Sequence, residues 1–290
     1  MTRPRLLPVL RLCRIGMWFS PAADVLAGAA IAGVAVDGAV GRAMLASALL
    51  YGAGMVWNDI ADRKLDAIQR PERPLPRGDL SLGFAATLGV ALLAAGLAAT
   101  PCLAHHALIA ALVIFYDVLG KKLEWLGALN MGTLRALNLG TGLQLAAAGA
   151  PGHDTAQRAL LLAAVCYGIY IVAVTIVGIF EDTPSVRARA VSTVQAAPPI
   201  VAFAGVAVVQ GGLWPAPAIA AVPAIWFLRR NARTKEWSQA SIRQSMTQLL
   251  LGTMLYTALL ALAAGAWQAC LAIAASIPAA KKIARSIALT

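Results

Sequence analysis

Gly52-Ala53-Gly54-Met55-Val56-Trp57-Asn58-Asp59-Ile60-Ala61-Asp62-Arg63-Lys64-Leu65-Asp66 passes from an uninterrupted apolar run into a row of acids. The run behind it, residues 40–57, is close to the ~20 residues that a bilayer core requires. Continued as a helix, the segment carries Asp59, Asp62 and Asp66 at i, i+3 and i+7, within roughly a 60° arc at 100° per residue. Acids at the edge of a hydrophobic span are costly and functional by default. Like charges at i,i+4, here Asp62 and Asp66, repel one another, and a divalent cation between the carboxylates would relieve them. Oxygen-only donors suit Mg²⁺, which binds through one or two carboxylates while substrate phosphate fills other positions. Asn58, Asp59, Asp62 and Asp66 are therefore the candidate metal ligands, with the three aspartates also the candidate catalytic groups. The plainer reading is a solvated helix end laced by Asp59–Arg63 and Asp66–Arg70 pairs; the membrane-edge position argues against it.

Outward from this stretch the chain stays apolar. Of its 290 residues 60% are hydrophobic and 13% charged, about half the charge of a soluble domain, and the mean hydropathy is +0.73. Apolar runs lie near 16–36, 40–57, 82–100, 103–119, 126–149, 158–180, 195–212, 214–229 and 246–275, the last able to tilt or to break near Gly265. This predicts an all-α polytopic membrane protein, about nine transmembrane helices forming a bundle, as one domain over 1–290. The net charge of +11 sits in short connections between the runs, which is the orienting pattern of membrane proteins. It predicts the lipid bilayer, not nucleic acid, as the basic surface's partner. By the positive-inside rule the N-terminus and loops 58–81, 120–125, 181–194 and 230–245 are cytoplasmic. Nine spans would then put Lys281, Lys282 and Arg285 on the opposite side, against the rule. Arg3, Arg5, Arg11 and Arg14 precede the first run and read as a retained signal anchor, not a cleaved leader. The cysteines, Cys13, Cys102, Cys166 and Cys270, form no CxxC pair, so neither a disulfide framework nor a zinc site is indicated.

After the acids comes Arg70-Pro71-Glu72-Arg73-Pro74-Leu75-Pro76-Arg77-Gly78. Its prolines and glycine predict a stiff, extended basic loop. Laid over the acids, Arg70, Arg73 and Arg77 would neutralise a diphosphate, since guanidinium matches phosphate oxygens; orientation bias alone also accounts for them. In the fifth run Arg135 and Asn138 share a face, with Gly132 and Gly142 permitting close helix approach. An arginine that deep must face protein or a polar cavity. It either reaches the diphosphate or pairs with Asp117, Asp24 or a carbonyl, and Asp24 is either its partner or an acceptor-binding group.

Asn58-Asp59-x-x-Asp62-x-x-x-Asp66 followed by Arg73-Pro74-Leu75-x-x-Gly78 resembles the first signature of the UbiA superfamily of intramembrane prenyltransferases. Tyr116-Asp117…Gly120-Lys121…Leu129-Asn130-Met131-Gly132…Arg135…Asn138-Leu139 is similar to its EboC-like branch. The resemblance implies a nine-helix bundle around a central cavity with a cytoplasmic cap. It implies an isoprenyl diphosphate held by Mg²⁺ between two acidic motifs, and transfer of the isoprenyl group to an acceptor. By position it assigns Lys121 to the diphosphate, with Tyr116 beside it. The family's second motif is incomplete here: Gly178-Ile179-Phe180-Glu181-Asp182-Thr183-Pro184-Ser185-Val186 keeps only adjacent Glu181 and Asp182, of which Asp182 is the candidate metal ligand. The depleted motif leaves a second expectation, a non-catalytic carrier or scaffold for a prenyl lipid. A CDP-alcohol phosphotransferase is disfavoured, because Asp59-Ile60-Ala61-Asp62-Arg63 lacks its DGxxAR opening. No broken-helix repeat pair supports a transporter.

Overall fold

The computed structural model describes residues 6–146, 153–180, 187–194, 196–211, 216–234 and 237–288. Twelve α-helices follow in order: α1 Leu6–Leu12, α2 Phe19–Ile31, α3 Gly38–Gln69, α4 Leu82–Ala99, α5 Leu103–Val118, α6 Glu124–Leu145, α7 His153–Ile179, α8 Arg187–Val194, α9 Ala197–Gln210, α10 Ala216–Arg233, α11 Gln239–Ala263 and α12 Trp267–Ala288. Short 3-10 turns occupy Ile15–Met17 and Gly120–Lys122.

Asp37 starts the helix that organises the rest. Its carboxylate accepts from the backbone N–H groups of Ala39 (2.8 Å) and Val40 (3.0 Å), an N-cap that satisfies two orphan donors. From there α3 runs 32 residues, about 48 Å at 1.5 Å per residue. A hydrocarbon core is ~30 Å thick, so the acid-bearing end of α3 projects beyond it. The helix stops at Arg70, whose φ of −142° suits a residue preceding proline.

The expected extended loop after α3 is instead a compact series of turns. Backbone bonds Arg73→Arg70, Arg77→Arg73, Gly78→Leu75 and Asp79→Pro74 fold it, and Gly78 takes φ +76°. Leu75 and Leu80 bury themselves against Leu12, Val56 and Ala85, which outweighs the stiffness that three prolines suggest. Ser81 then caps α4 through the Phe84 N–H. The connection 58–81 thus reduces to 70–81, its first part being helix. Segment 187–194 of the predicted loop 181–194 is α8, and 230–245 narrows to the stretch between Arg233 and Gln239.

Around α3 the helices pack in a bundle, with α6 against α2 and α7. A Cβ on Gly142 would stand 2.1 Å from the Gly28 carbonyl oxygen, and one on Gly132 2.6 Å from that of Gly168. Backbones meet directly there, as small residues in membrane helices allow. Leu103, Leu108, Val165, Ile169, Val201, Val208 and Val222 face outward, in keeping with a lipid-facing exterior.

The long final run breaks at Gly265 (φ +79°), so ten helices of 13 residues or more stand among the described residues where nine spans were expected. The break returns α12 to the end where the chain began. Ala284 packs on Gly16, and Arg11 Nε donates to the Ile287 carbonyl (2.8 Å). Lys281, Lys282 and Arg285 therefore share an end with Arg11 and Arg14. The charge mismatch of a nine-span chain disappears.

Candidate active site at the end of α3

Three cations from three separate segments converge on the acids of α3. Arg73, in the 70–81 turns, donates to Asp59 Oδ1 (3.2 Å) and Asp66 Oδ2 (2.6 Å). Arg14, from the bend between α1 and α2, donates to Asp59 Oδ1 (3.1 Å). Lys121, in the turn between α5 and α6, donates to Asp62 Oδ1 (2.6 Å) and Asn58 Oδ1 (3.4 Å). The helix geometry explains the division. Asp59 and Asp66, two turns apart, share Arg73, while Asn58 and Asp62, one turn apart, share Lys121.

Asp59 and Asp66 are buried, while Arg14 and Arg73 keep 36% and 18% of their side-chain surface in solvent. The local pairs of the plainer reading do not form: among the described residues Arg63 and Arg70 make no ion pair with the stack, and Arg77 turns to Asp79 (3.3 Å). Arg70 is exposed and contributes its backbone N–H to the Asp66 carbonyl at the helix end.

Two residues enter the site that sequence reading did not place there. Arg14 sits in the left-handed region (φ 47°) and is the one non-glycine with positive φ among the described residues, a strained conformation associated with functional positions. Asp117, on the last turn of α5, is 5% exposed, lies within electrostatic reach of Asp59, Asp62, Arg14 and Lys121, and leaves Oδ1 without a hydrogen-bond partner. Tyr116, half-buried beside it, lies within reach of Asp62. Burial pushes the neighbouring Cys13 thiol up to about 11, which disfavours its thiolate.

Arg135 and Asn138 belong to a different network. Arg135 donates to Asp24 Oδ1 (2.9 Å), Ser20 Oγ (2.7 Å) and Tyr167 Oη (2.6 Å). Asn138 donates to Asp24 Oδ2 (3.0 Å) and the Pro21 carbonyl (2.8 Å), and accepts from Ser47 Oγ. Tyr167 Oη also donates to Asp24 (2.9 Å). Arg135 thus pairs with Asp24 rather than with an opposed carbonyl or Asp117. Tyr51 lies within electrostatic reach of both Arg14 and Arg135. Glu181 and Asp182 lie outside the described residues.

The donor set on α3 and α5 suits a hard cation: it is all oxygen, and one buried carboxylate oxygen has no partner. Among the described residues no three His, Cys, Asp or Glu side chains stand together as a ready-made metal cage.

Fold and site together describe a multi-pass integral membrane protein with a charge-paired polar site at one end of its bundle. The chain belongs to the UbiA prenyltransferase family, whose sequence profile matches residues 23–249. It is 36% identical over 107 residues to digeranylgeranylglyceryl phosphate synthase of Saccharolobus solfataricus (34% of this chain, 38% of that one). It is 35% identical over 127 residues to the enzyme of that name from Methanothrix thermoacetophila (39% and 48%). A third relative, the bacteriochlorophyll synthase 34 kDa chain of Chloroflexus aurantiacus, is 36% identical over 78 residues (25% of each). The matched stretches span less than half of these relatives. A solved structure of a digeranylgeranylglyceryl phosphate synthase superposes with a TM-score of 0.63 at 21% identity, covering 90% of this chain and 98% of that one, and so shares the fold.

Proposed function

We propose that the chain transfers an isoprenyl group from an isoprenyl diphosphate to a nucleophilic acceptor, with Mg²⁺ as cofactor, at the cytoplasmic end of the bundle. The observation that carries this is the convergence of Arg14, Arg73 and Lys121 on the α3 acids from three distant segments. The cytoplasmic assignment follows from the basic residues gathered at that end, Arg11, Arg14, Lys121, Lys122, Lys281 and Lys282.

Asn58, Asp59, Asp62 and Asp66 would hold the metal, which when bound neutralises charge on the departing diphosphate. Arg14, Arg73 and Lys121 contribute in the same direction, since their N–H groups would pass from carboxylate to phosphate oxygens as the substrate enters. Metal and diphosphate therefore assist each other: each takes partners that the other leaves. The bond between the isoprenyl C1 and its bridging oxygen breaks, the electron pair leaving with diphosphate. The acceptor's nucleophile bonds to C1 and gives up its proton. The reaction requires that water, which would otherwise capture the allylic centre, be excluded.

The test is incubation of purified protein with labelled isoprenyl diphosphates of several lengths and a panel of aromatic and lipid acceptors, with and without Mg²⁺. Transfer and diphosphate release that need Mg²⁺ and vanish in Asp59→Ala support the reading. Tight Mg²⁺-dependent binding without release across the panel favours the carrier instead. Unchanged diphosphate binding in Asp59→Ala removes the site altogether.

A further inference from the structure

We propose that Asp117 is itself a cation ligand, supplying from α5 the second acidic arm for which the sequence after α7 keeps only Glu181 and Asp182. This rests on the prenyl-transfer reading of the α3 site. The helix register brings Asp117 there. Val113 of α5 packs where a Cβ on Gly54 of α3 would stand, 2.9 Å from its Cγ1. From that contact the two helices advance toward the same end in step, since Lys121 reaches both Asn58 and Asp62. One turn beyond Gly54 is Asn58, and one turn beyond Val113 is Asp117. The carboxylate thus stands beside the Asn58–Asp62 face.

Charge points the same way. Asp59, Asp62 and Asp66 are answered by Arg14, Arg73 and Lys121. Asp117 is a fourth acid in their field, with no ion pair among the described residues and one buried oxygen without a partner. A buried carboxylate left so is costly. Asp117 lies within reach of two cations already engaged by other acids. A divalent cation bridging Asp117 to the Asn58–Asp62 face would satisfy the free oxygen and offset the surplus negative charge. Two carboxylates are enough for Mg²⁺ when phosphate and water complete its octahedron.

The experiment measures Mn²⁺ binding by electron paramagnetic resonance to the purified full chain in the presence of inorganic diphosphate. Asp117→Asn should weaken Mn²⁺ binding by at least about tenfold with an unchanged circular dichroism spectrum and melting temperature. Asp117→Cys tests direct ligation: it should lose Mn²⁺ but gain Cd²⁺ affinity over the wild-type chain with its four native cysteines, since thiolate favours the softer ion. A structural role for Asp117 would give no such exchange of preference. Wild-type Mn²⁺ affinity in Asp117→Asn, or no gain of Cd²⁺ in Asp117→Cys, overturns the inference and leaves the α3 site standing. No Mn²⁺ binding by the wild-type chain overturns both.

Discussion

Two acid–cation networks lie in this bundle, and they are built differently. At the end of α3 every cation comes from a bend or a turn: Arg14 between α1 and α2, Arg73 in the 70–81 turns, Lys121 between α5 and α6. Around Asp24 every partner comes from a helix: Ser20 and Asp24 from α2, Arg135 and Asn138 from α6, Tyr167 from α7. Partners on turns can move to an incoming anion at little cost to the helices. Partners on packed helices cannot move without unpacking them. The first network is suited to exchange, the second to holding α2, α6 and α7 in one arrangement.

Substitutions should separate the two. The largest effect is expected at Asp59: Asp59→Ala should lower prenyl transfer at least about a hundredfold while its melting temperature stays near wild type, measured by product formation and by thermal unfolding in detergent. Asp24→Ala should do the reverse. It leaves the buried Arg135 uncompensated, a loss of about 3–5 kcal/mol, read as a lower unfolding midpoint. A stable Asp24→Ala chain with impaired acceptor use would make Asp24 a substrate group and erase the contrast. Lys121→Gln should raise the KM for the diphosphate by roughly tenfold to a hundredfold, as loss of a charged hydrogen bond of about 1.5–3 kcal/mol implies. The smallest change is expected from Arg70→Gln, under about twofold in KM, because an exposed cation contributes little; a larger one would show that Arg70 turns onto the substrate.

The contrast was partly legible in the sequence. Asn58, Asp59, Asp62 and Asp66 announced themselves by helical spacing at a membrane edge, and the close approaches of Gly132 and Gly142 by position alone. Periodicity, however, reports which face a residue occupies and not what distant segment meets it. It offered Asp59–Arg63 and Asp66–Arg70, where tertiary packing delivers Arg14 and Arg73 instead. It also offered Arg135 and Asn138 as substrate-binding groups and left Asp24 between an acceptor site and a pair with Arg135, because recognising the Asp24 network takes contact across two helices. Asp117 was visible as an acid near the end of an apolar run; its burial and its unpartnered oxygen were not. The break at Gly265 escaped a definite reading because hydropathy is blind to the sign of φ.

That break has a consequence for how the protein is made. The hydrogen bond from Arg11 to the Ile287 carbonyl spans a sequence separation of 276 residues, and Ala284 packs on Gly16 beside the strained Arg14. In a chain threaded from the ribosome into the bilayer, the bend that presents Arg14 to Asp59 waits for α12 before it gains this packing. Such distant pairings form late, because their closure entropy must be met before the contact rewards it. A nascent chain halted before Trp267 would therefore carry its acids with the Arg14 arm of the clamp still lacking the support of α12.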